Sequence, residues 1–295
     1  MKKMLFVMNP CSGQKRANRL LPDILSLYSG AGYDVTVHMT QGAGDGARAV
    51  ERLAPYMDIV VCCGGDGTFN ETISGLLHSG TDIPIGYIPA GSTNDFAASL
   101  HLPTGIMKAA QAVLDGVPVA YDAGKFGDRY FSYVASFGAF TRVSYATPQN
   151  VKNALGHTAY VLESIQELSQ IRKEHVRIDL DDQVIEDDFL FGAISNSTSV
   201  GGILTLDPRQ VDMRDGLLEL LLVRAPRNLG EISECIQALQ TQKYNCEMIT
   251  FRSTHKAIVT ADPDMPWTLD GEREPGHRQV LVKNKHLAFR LMQKA

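Results

Sequence analysis

Asp58-Ile59-Val60-Val61-Cys62-Cys63-Gly64-Gly65-Asp66-Gly67-Thr68-Phe69-Asn70-Glu71-Thr72-Ile73 runs from an apolar, β-branched segment through a glycine corner into a helix-like segment. That order is the signature of a buried strand turning into a helix. The first amides of a helix have no internal acceptor, and the helix dipole adds positive potential there, so the corner is suited to an anion. Glycines let the backbone come close to it. Asp66 is the odd member, because a carboxylate among amides arranged for an anion is unfavourable unless a cation accompanies the ligand. Asp66 is therefore a candidate contact to Mg²⁺ or to a metal-bound water.

Working outward, Pro89-Ala90-Gly91-Ser92-Thr93-Asn94-Asp95 is a second corner of the same kind, about 27 residues further on. Asn9-Pro10-Cys11-Ser12-Gly13, after the short buried run Met4-Leu5-Phe6-Val7-Met8, is a third. In an open α/β sheet the loops at the carboxyl ends of the strands share one crevice, so corners distant in sequence converge on a single ligand. Thr40, after the strand-like 33–39 segment, falls on the same edge. The layout predicts a nucleotide triphosphate site. A local reading stands beside it: Thr68-x-x-Glu71 and Ser92-x-x-Asp95 both fit a capping box, which explains hydroxyls and acids without a ligand.

Length and composition bound the rest. The 295 residues exceed one typical core, so two domains are expected. With 44% hydrophobic and 21% charged residues the chain has an ordinary globular composition, and it carries no apolar run of membrane-spanning length. The apolar stretch behind Lys2-Lys3 is too short for a signal peptide, so a soluble, cytoplasmic protein is expected. A formal charge of −5 argues against nucleic acid as a partner. Cys11, Cys62, Cys63, Cys235 and Cys246 lack zinc-type spacing and read as thiols.

Strand-like and helix-like segments alternate before residue 120, with strands near 4–8, 33–39, 58–63 and 84–88 and helices near 16–29, 45–55, 68–78, 94–100 and 105–115. Strands come consecutively after it, near 129–137, 176–180, 185–195, 217–223, 247–251, 257–261 and 279–282, with helical segments only near 152–172 and 228–241. The expected architecture is an amino-terminal α/β nucleotide-binding domain with a parallel, Rossmann-like sheet, residues 1–121, followed by an all-β sandwich, residues 122–285. In the second part, Trp267-Thr268-Leu269-Asp270-Gly271-Glu272 enters a tight Asp-Gly turn with a carboxylate just beyond it, a pattern that an ordinary hairpin shares.

Asn-Pro-x-Ser-Gly at 9–13, Gly-Gly-Asp-Gly-Thr-x-Asn-Glu at 64–71 and Pro-x-Gly-Ser-x-Asn-Asp-Phe at 89–96, in that order, resemble the catalytic domain of the diacylglycerol kinase and sphingosine kinase family, particularly its soluble bacterial lipid kinases. The middle corner alone also resembles NAD kinases and, loosely, phosphofructokinases; the three motifs in order are more specific. The resemblance runs nearly end to end and implies transfer of the γ-phosphoryl of ATP, with Mg²⁺, to a lipid hydroxyl at the inner face of a membrane. Diacylglycerol is the expected acceptor, giving phosphatidic acid. Phosphatidylglycerol, a sphingosine-like lipid or undecaprenol are alternatives, followed by NAD phosphorylation and by a non-catalytic nucleotide- or lipid-binding protein.

The resemblance assigns ATP and its Mg²⁺ to Asn9, Pro10, Cys11, Ser12, Gly13, Thr40, Gly64, Gly65, Asp66, Gly67, Thr68, Asn70, Glu71 and Ser92. It makes Glu272 the general base and sets Asp95 and Asp122 in a charged network beside the phosphates. It gives a structural Mg²⁺ to Asp215, with Asp212 and the Leu217 carbonyl, and returns 286–295 to the first domain. Some relatives carry a basic residue directly after the first corner; Gln14 stands there, leaving Lys15 as the candidate to join the network. Phe137-Gly138-Ala139-Phe140 and 152–168 are candidate walls for the lipid, and a homodimer is left open as an assembly.

Overall fold

Met4 to Met8 of β1 (Lys2–Met8) are all buried, and successive side chains enter two different layers. Met4, Phe6 and Met8 pack on one side with α1 (Arg16–Gly30) and α5 (Ile106–Asp115). Leu5 and Val7 pack on the other with α2 (Asp45–Leu53) and α3 (Asp66–Ser79). A side chain such as Phe6 contributes about 1.5–3 kcal/mol through this burial. Helices on both faces of the sheet account for the continuous apolar run of β3 (Ile59–Gly64), since such a strand has no solvent-facing side. This structure is a computed structural model and describes residues 1–13, 16–138, 172–200, 204–206, 209–228, 230–231, 234, 237–238, 244 and 246–294.

β2 (Tyr33–Met39), β1, β3 and β4 (Ile85–Pro89) pair in parallel in that order. Their register is level at the carboxyl end: Met8 lies opposite Met39 and Cys63, and Gly64 opposite Pro89. The three corners and Thr40 therefore leave the sheet along one rim. α4 (Asp95–Ser99) follows the third corner.

The next strands are β5 (Val117–Phe126), β6 (Arg129–Phe131), β7 (Val134–Gly138), β8 (Glu174–Asp179), β9 (Val184–Ser195), β10 (Ser199–Val200) and β11 (Leu204–Thr205). They are followed by β12 (Leu218–Arg224), β13 (Ile249–Thr254), β14 (Lys256–Thr260), β15 (Trp267–Leu269), β16 (Glu272–Glu274) and β17 (Gln279–Gln293). Pairing among them is antiparallel. β12 is buried on both faces. Leu218, Leu220 and Leu222 meet the Trp267 core, whereas Leu221 and Val223 join the core that also holds Phe69 and Phe289.

β17 is the seam of the molecule. It pairs with β14 and β5 along most of its length and then with β4, in parallel, at Leu291 opposite Ile85. Its register with β5 shifts between Lys285 and Phe289, and Leu287 takes φ 46° there. Phe289 is within 6.2 Å of the rings of Phe69, Phe96 and Tyr121, so aromatic packing joins the two halves.

Three expected elements differ. The strand expected over 129–137 is two strands, because the amides of Ser132, Tyr133 and Val134 are drawn to Asp270. The strand expected to stop at 282 continues to Gln293. β5 runs unbroken across residue 120, where the change of organisation was expected. The segments expected to be helical near 152–172 and 228–241 lie largely outside the described residues, as do Ala139 and Phe140 of the expected lipid wall. No helix among the described residues is long and apolar enough to cross a membrane.

Candidate active site

The three corners interlock through backbone. Asn9 N–H donates to Cys63 O at 3.1 Å, Thr40 N–H to Met8 O at 2.9 Å and Ala90 N–H to Gly64 O at 2.8 Å. A Cβ on Gly91 would stand 2.5 Å from Gly65 Cα, and one on Gly13 2.5 Å from Ala90 O. Gly13 also has φ 52°. Glycine at 13 and 91 is thus required by backbone meeting backbone, not by flexibility. Within the first corner Cys11 N–H donates to Asn9 Oδ1 at 2.9 Å and Ser12 N–H to Asn9 O at 3.2 Å; Pro10 between them offers no donor.

Neither capping box forms. α3 starts from Gly65 and α4 from Asn94, each without a side-chain cap of its own. Thr68 Oγ1 instead accepts from Asn9 Nδ2 at 3.3 Å. Glu71 reaches across to α2, accepting from Gly44 N–H at 2.6 Å and Gly46 N–H at 2.9 Å. Asn94, at φ 54°, closes the third corner on Gly91 in both directions and leaves Ser92 exposed. The first turn of α3 therefore has no side-chain cap from its own N-cap residue, an arrangement suited to an anion.

Asp66 has a second task that its sequence position did not show. Its carboxylate accepts from Asp95 N–H at 3.1 Å and Phe96 N–H at 3.2 Å, fixing the start of α4. Burial holds its pKa above the usual carboxylate range, against the pull of those amides. No basic side chain pairs with Asp66 among the described residues, so a partly buried carboxylate without an opposite charge lies at the rim, and its remaining oxygen lone pairs suit a hard cation. Asn70 is buried on α3, and its Oδ1 lacks a partner among the described residues. Lys15 lies outside them.

Glu272 arrives from the other half of the molecule. Asp270 and Gly271 form a two-residue hairpin loop with φ 48° and 86°, the primed geometry expected of Asp-Gly. Asp270 is fully buried and accepts from Ser132 N–H, Ser132 Oγ, Tyr133 N–H and Val134 N–H at 2.5–3.0 Å. Burial pushes its pKa up to about 6, while the same donors pull it down. Asp270 pins the hairpin. It has no hydrogen bond to Glu272 among those described.

Pinned in this way, Glu272 lies against the first turn of α3: a Cβ on Gly67 would be 3.3 Å from Glu272 Oε1. Burial, then the Glu71 carboxylate, raise the Glu272 pKa, and Arg129 lowers it. A half-buried carboxylate with a raised pKa beside an open helix amino terminus can take a proton from a hydroxyl delivered there.

Asp122 belongs to another cluster. It is fully buried; Oδ1 accepts from His286 Nδ1 at 3.0 Å and Leu287 N–H at 2.7 Å, and Oδ2 from Gly216 N–H at 2.7 Å and Asn284 Nδ2 at 3.1 Å. Its hydrogen bonds go to the 213–217 loop and the β17 shift, and none goes to the three corners. β5 carries Asp122 alongside β17, which sets these partners. In the same loop Leu217 N–H donates to Asp215 Oδ1 at 2.9 Å, Arg214 N–H to Asp212 Oδ1 at 3.0 Å, and the Leu217 carbonyl accepts from Asn284 at 2.8 Å.

No group of three or more metal-ligating side chains closes among the described residues. Glu219 changes the chemistry of this loop. It is buried, its Oε2 has no partner among the described residues, and burial followed by Asp215 pushes its pKa up to about 8. Oxygen donors with an orphaned buried carboxylate behind them suit a hard divalent cation. The sequence signal was a single acid in the apolar run Leu218-Glu219-Leu220-Leu221-Leu222. A cavity of about 550 Å³ opens between the end of α4, at Ser99 and Leu100, and Tyr121, Met213 and Arg214.

Comparison with known proteins places this geometry in a family. Residues 3–126 match the diacylglycerol kinase catalytic domain, and residues 134–285 match the YegS C-terminal NAD kinase beta sandwich-like domain. A diacylglycerol kinase of Bacillus subtilis (strain 168) is 32% identical, over 98% of this chain and 97% of its own. The chain belongs to the diacylglycerol kinase family of lipid kinases. The kinase is also 32% identical to a diacylglycerol kinase of Staphylococcus saprophyticus, over 92% of this chain and 89% of that one. Its fold matches a crystal structure described as a diacylglycerol kinase from Bacillus anthracis str. Sterne with a TM-score of 0.75 and 21% identity, over 99% of this chain and 97% of that one. The kinase thus has the architecture expected from sequence, an α/β domain with a mainly parallel sheet and a β sandwich-like domain.

Proposed function

We propose that the kinase transfers the γ-phosphoryl group of ATP to the free hydroxyl of diacylglycerol, giving phosphatidic acid and ADP. The observation that carries this reading is Glu272 standing against Gly67, at the mouth of a corner whose helix has no cap of its own. The corners at Asn9–Gly13, Gly64–Thr68 and Gly91–Ser92, with Thr40 and Asn70, would bind the ATP phosphates. Glu272 accepts the hydroxyl proton as the lipid oxygen bonds to the γ-phosphorus, and the bond from that phosphorus to the bridging oxygen breaks. Asp66 would hold Mg²⁺, whose charge would offset that of the phosphates. Glu71 serves by fixing α2 and by raising the proton affinity of Glu272.

Asp215, Asp212 and the Leu217 carbonyl would hold a second, structural Mg²⁺, which would stiffen the 212–217 loop. The nucleotide-binding unit comprises 1–121 with 286–295 returning to it, supported by the pairing of β17 with β4. The enzyme meets its acceptor at the inner membrane face, within the cytoplasm. The test is purified protein with Mg·ATP and mixed micelles containing diacylglycerol, phosphatidylglycerol, sphingosine or undecaprenol in turn. Phosphorylation of diacylglycerol at the highest kcat/KM is expected; preference for another lipid, or for NAD, overturns the assignment.

A further inference from the structure

Arg129 opens β6 directly after the tight turn at Gly127 and Asp128, and Phe126 pairs across that turn with Arg129 itself. Its backbone is therefore fixed at the stem of a hairpin. Its guanidinium spans two carboxylates of β16: Nη1 binds Glu274, and Nη2 lies 3.5 Å from Glu272 Oε2. Glu274 is buried and is also approached by His277 Nε2 at 3.4 Å, so it anchors one side of the guanidinium and leaves the other for Glu272. Glu272 Oε1, the second oxygen of that carboxylate, is the one beside Gly67. One oxygen is held and the other faces the site.

We propose that Arg129 is the positioning residue of Glu272, gripping one carboxylate oxygen so that the other points at the acceptor hydroxyl; this rests on the reading of Glu272 as the base. The charges around Glu272 explain why such a grip is needed. Glu71 faces it from α3, Glu274 and Arg273 stand on its own strand, His277 follows in the next turn, and Asp270 is buried beneath the hairpin. Among the described residues, Arg129 is the basic group that pairs with Glu272, Glu71 is the acid that opposes it, and a triphosphate would add more negative charge. Burial and Glu71 favour the protonated, inactive form of the base, and Arg129 opposes them. A fork that binds two carboxylates is a task for arginine, whose planar donors are set for it, more than for lysine.

The test measures kcat and the KM for Mg·ATP from pH 5.5 to 9, with saturating diacylglycerol in mixed micelles, for wild type, R129M, R129K and E272Q. In R129M the acidic limb of kcat should move up by about one pH unit, as loss of a neighbouring opposite charge implies, with the KM for ATP little changed. R129K should recover part of that displacement. Because R129M leaves buried Glu274 without its partner, R129M/E274Q is measured alongside and should show the same displaced limb in a stably folded protein. An inactive E272Q together with a wild-type limb in R129M and in R129M/E274Q overturns the role of Arg129 alone. Wild-type kcat and pH profile in E272Q overturn the base reading, and this proposal with it.

Discussion

Replacing Gly91 with alanine tests whether the corners form one cradle. Gly91 has no positive φ, so alanine suits the backbone; the obstacle is steric. The added Cβ would stand 2.5 Å from Gly65 Cα and 2.7 Å from Asn94 Oδ1, where ordinary contact begins at 3.4 Å. The second and third corners must then separate by about 0.9 Å, the difference between 3.4 and 2.5 Å. Gly65 Cα is backbone held by the α3 start and cannot rotate away, so the shift passes to the α3 amides and to the α4 start that Asp66 caps. Overpacking of this kind costs about 1–3 kcal/mol of stability, and a displacement near 1 Å in a phosphoryl-transfer site costs on the order of 100-fold in rate. G91A should therefore lose about two orders of magnitude in kcat/KM for Mg·ATP while remaining folded. Gly30→Ala is the control, because a Cβ at the end of α1 meets nothing within 4 Å. If G91A and G30A match wild type alike in kcat/KM and Tm, the corners do not form a phosphate cradle in the way described.

Three further outcomes concern the acids Glu219, Asp122 and Asp215. Glu219 has a folded pKa of about 8 against 4.5 for the free side chain, so its stabilising protonated form is fully present below about 4.5 and is lost as pH rises through about 8. With EDTA present, E219Q should therefore gain Tm over wild type as pH rises from 5 to 9, by up to on the order of 4 kcal/mol of stability; a difference that stays flat with pH counts against this. Asp122→Asn presents an amide to two of the four donors that the carboxylate now accepts, which should cost on the order of 3 kcal/mol and lower the urea midpoint; an unchanged midpoint would show that the β17 shift stands without it. Adding MgCl₂ to metal-free enzyme should raise Tm, and Asp215→Ala should reduce that rise; equal shifts in the two proteins would remove the 212–217 loop as a cation site.

What the sequence shows of this molecule is what neighbours in sequence decide. The apolar run before Gly64 and the glycines after it specify a strand, a corner and a helix, and parallel pairing then levels the corners at one rim, so their convergence could be read from spacing. The acids were harder, because a carboxylate finds its partner by distance in space. Asp66, Glu71 and Asp270 each bind amides of another segment: Asp66 those of α4, Glu71 those of α2, and Asp270 those of 132–134. Asp122 closes on residues 94 to 165 positions away. Capping boxes at Thr68 and Ser92 had the right spacing and still do not form: α3 already starts from Gly65, which puts Thr68 inside the helix, and the first amides of α4 are taken by Asp66 from another segment. Arg129 is the clearest case. On sequence it is one basic residue among many, and only the register of two hairpins, β5 with β6 and β15 with β16, brings its guanidinium onto Glu272 and so joins the second domain to the nucleotide corner.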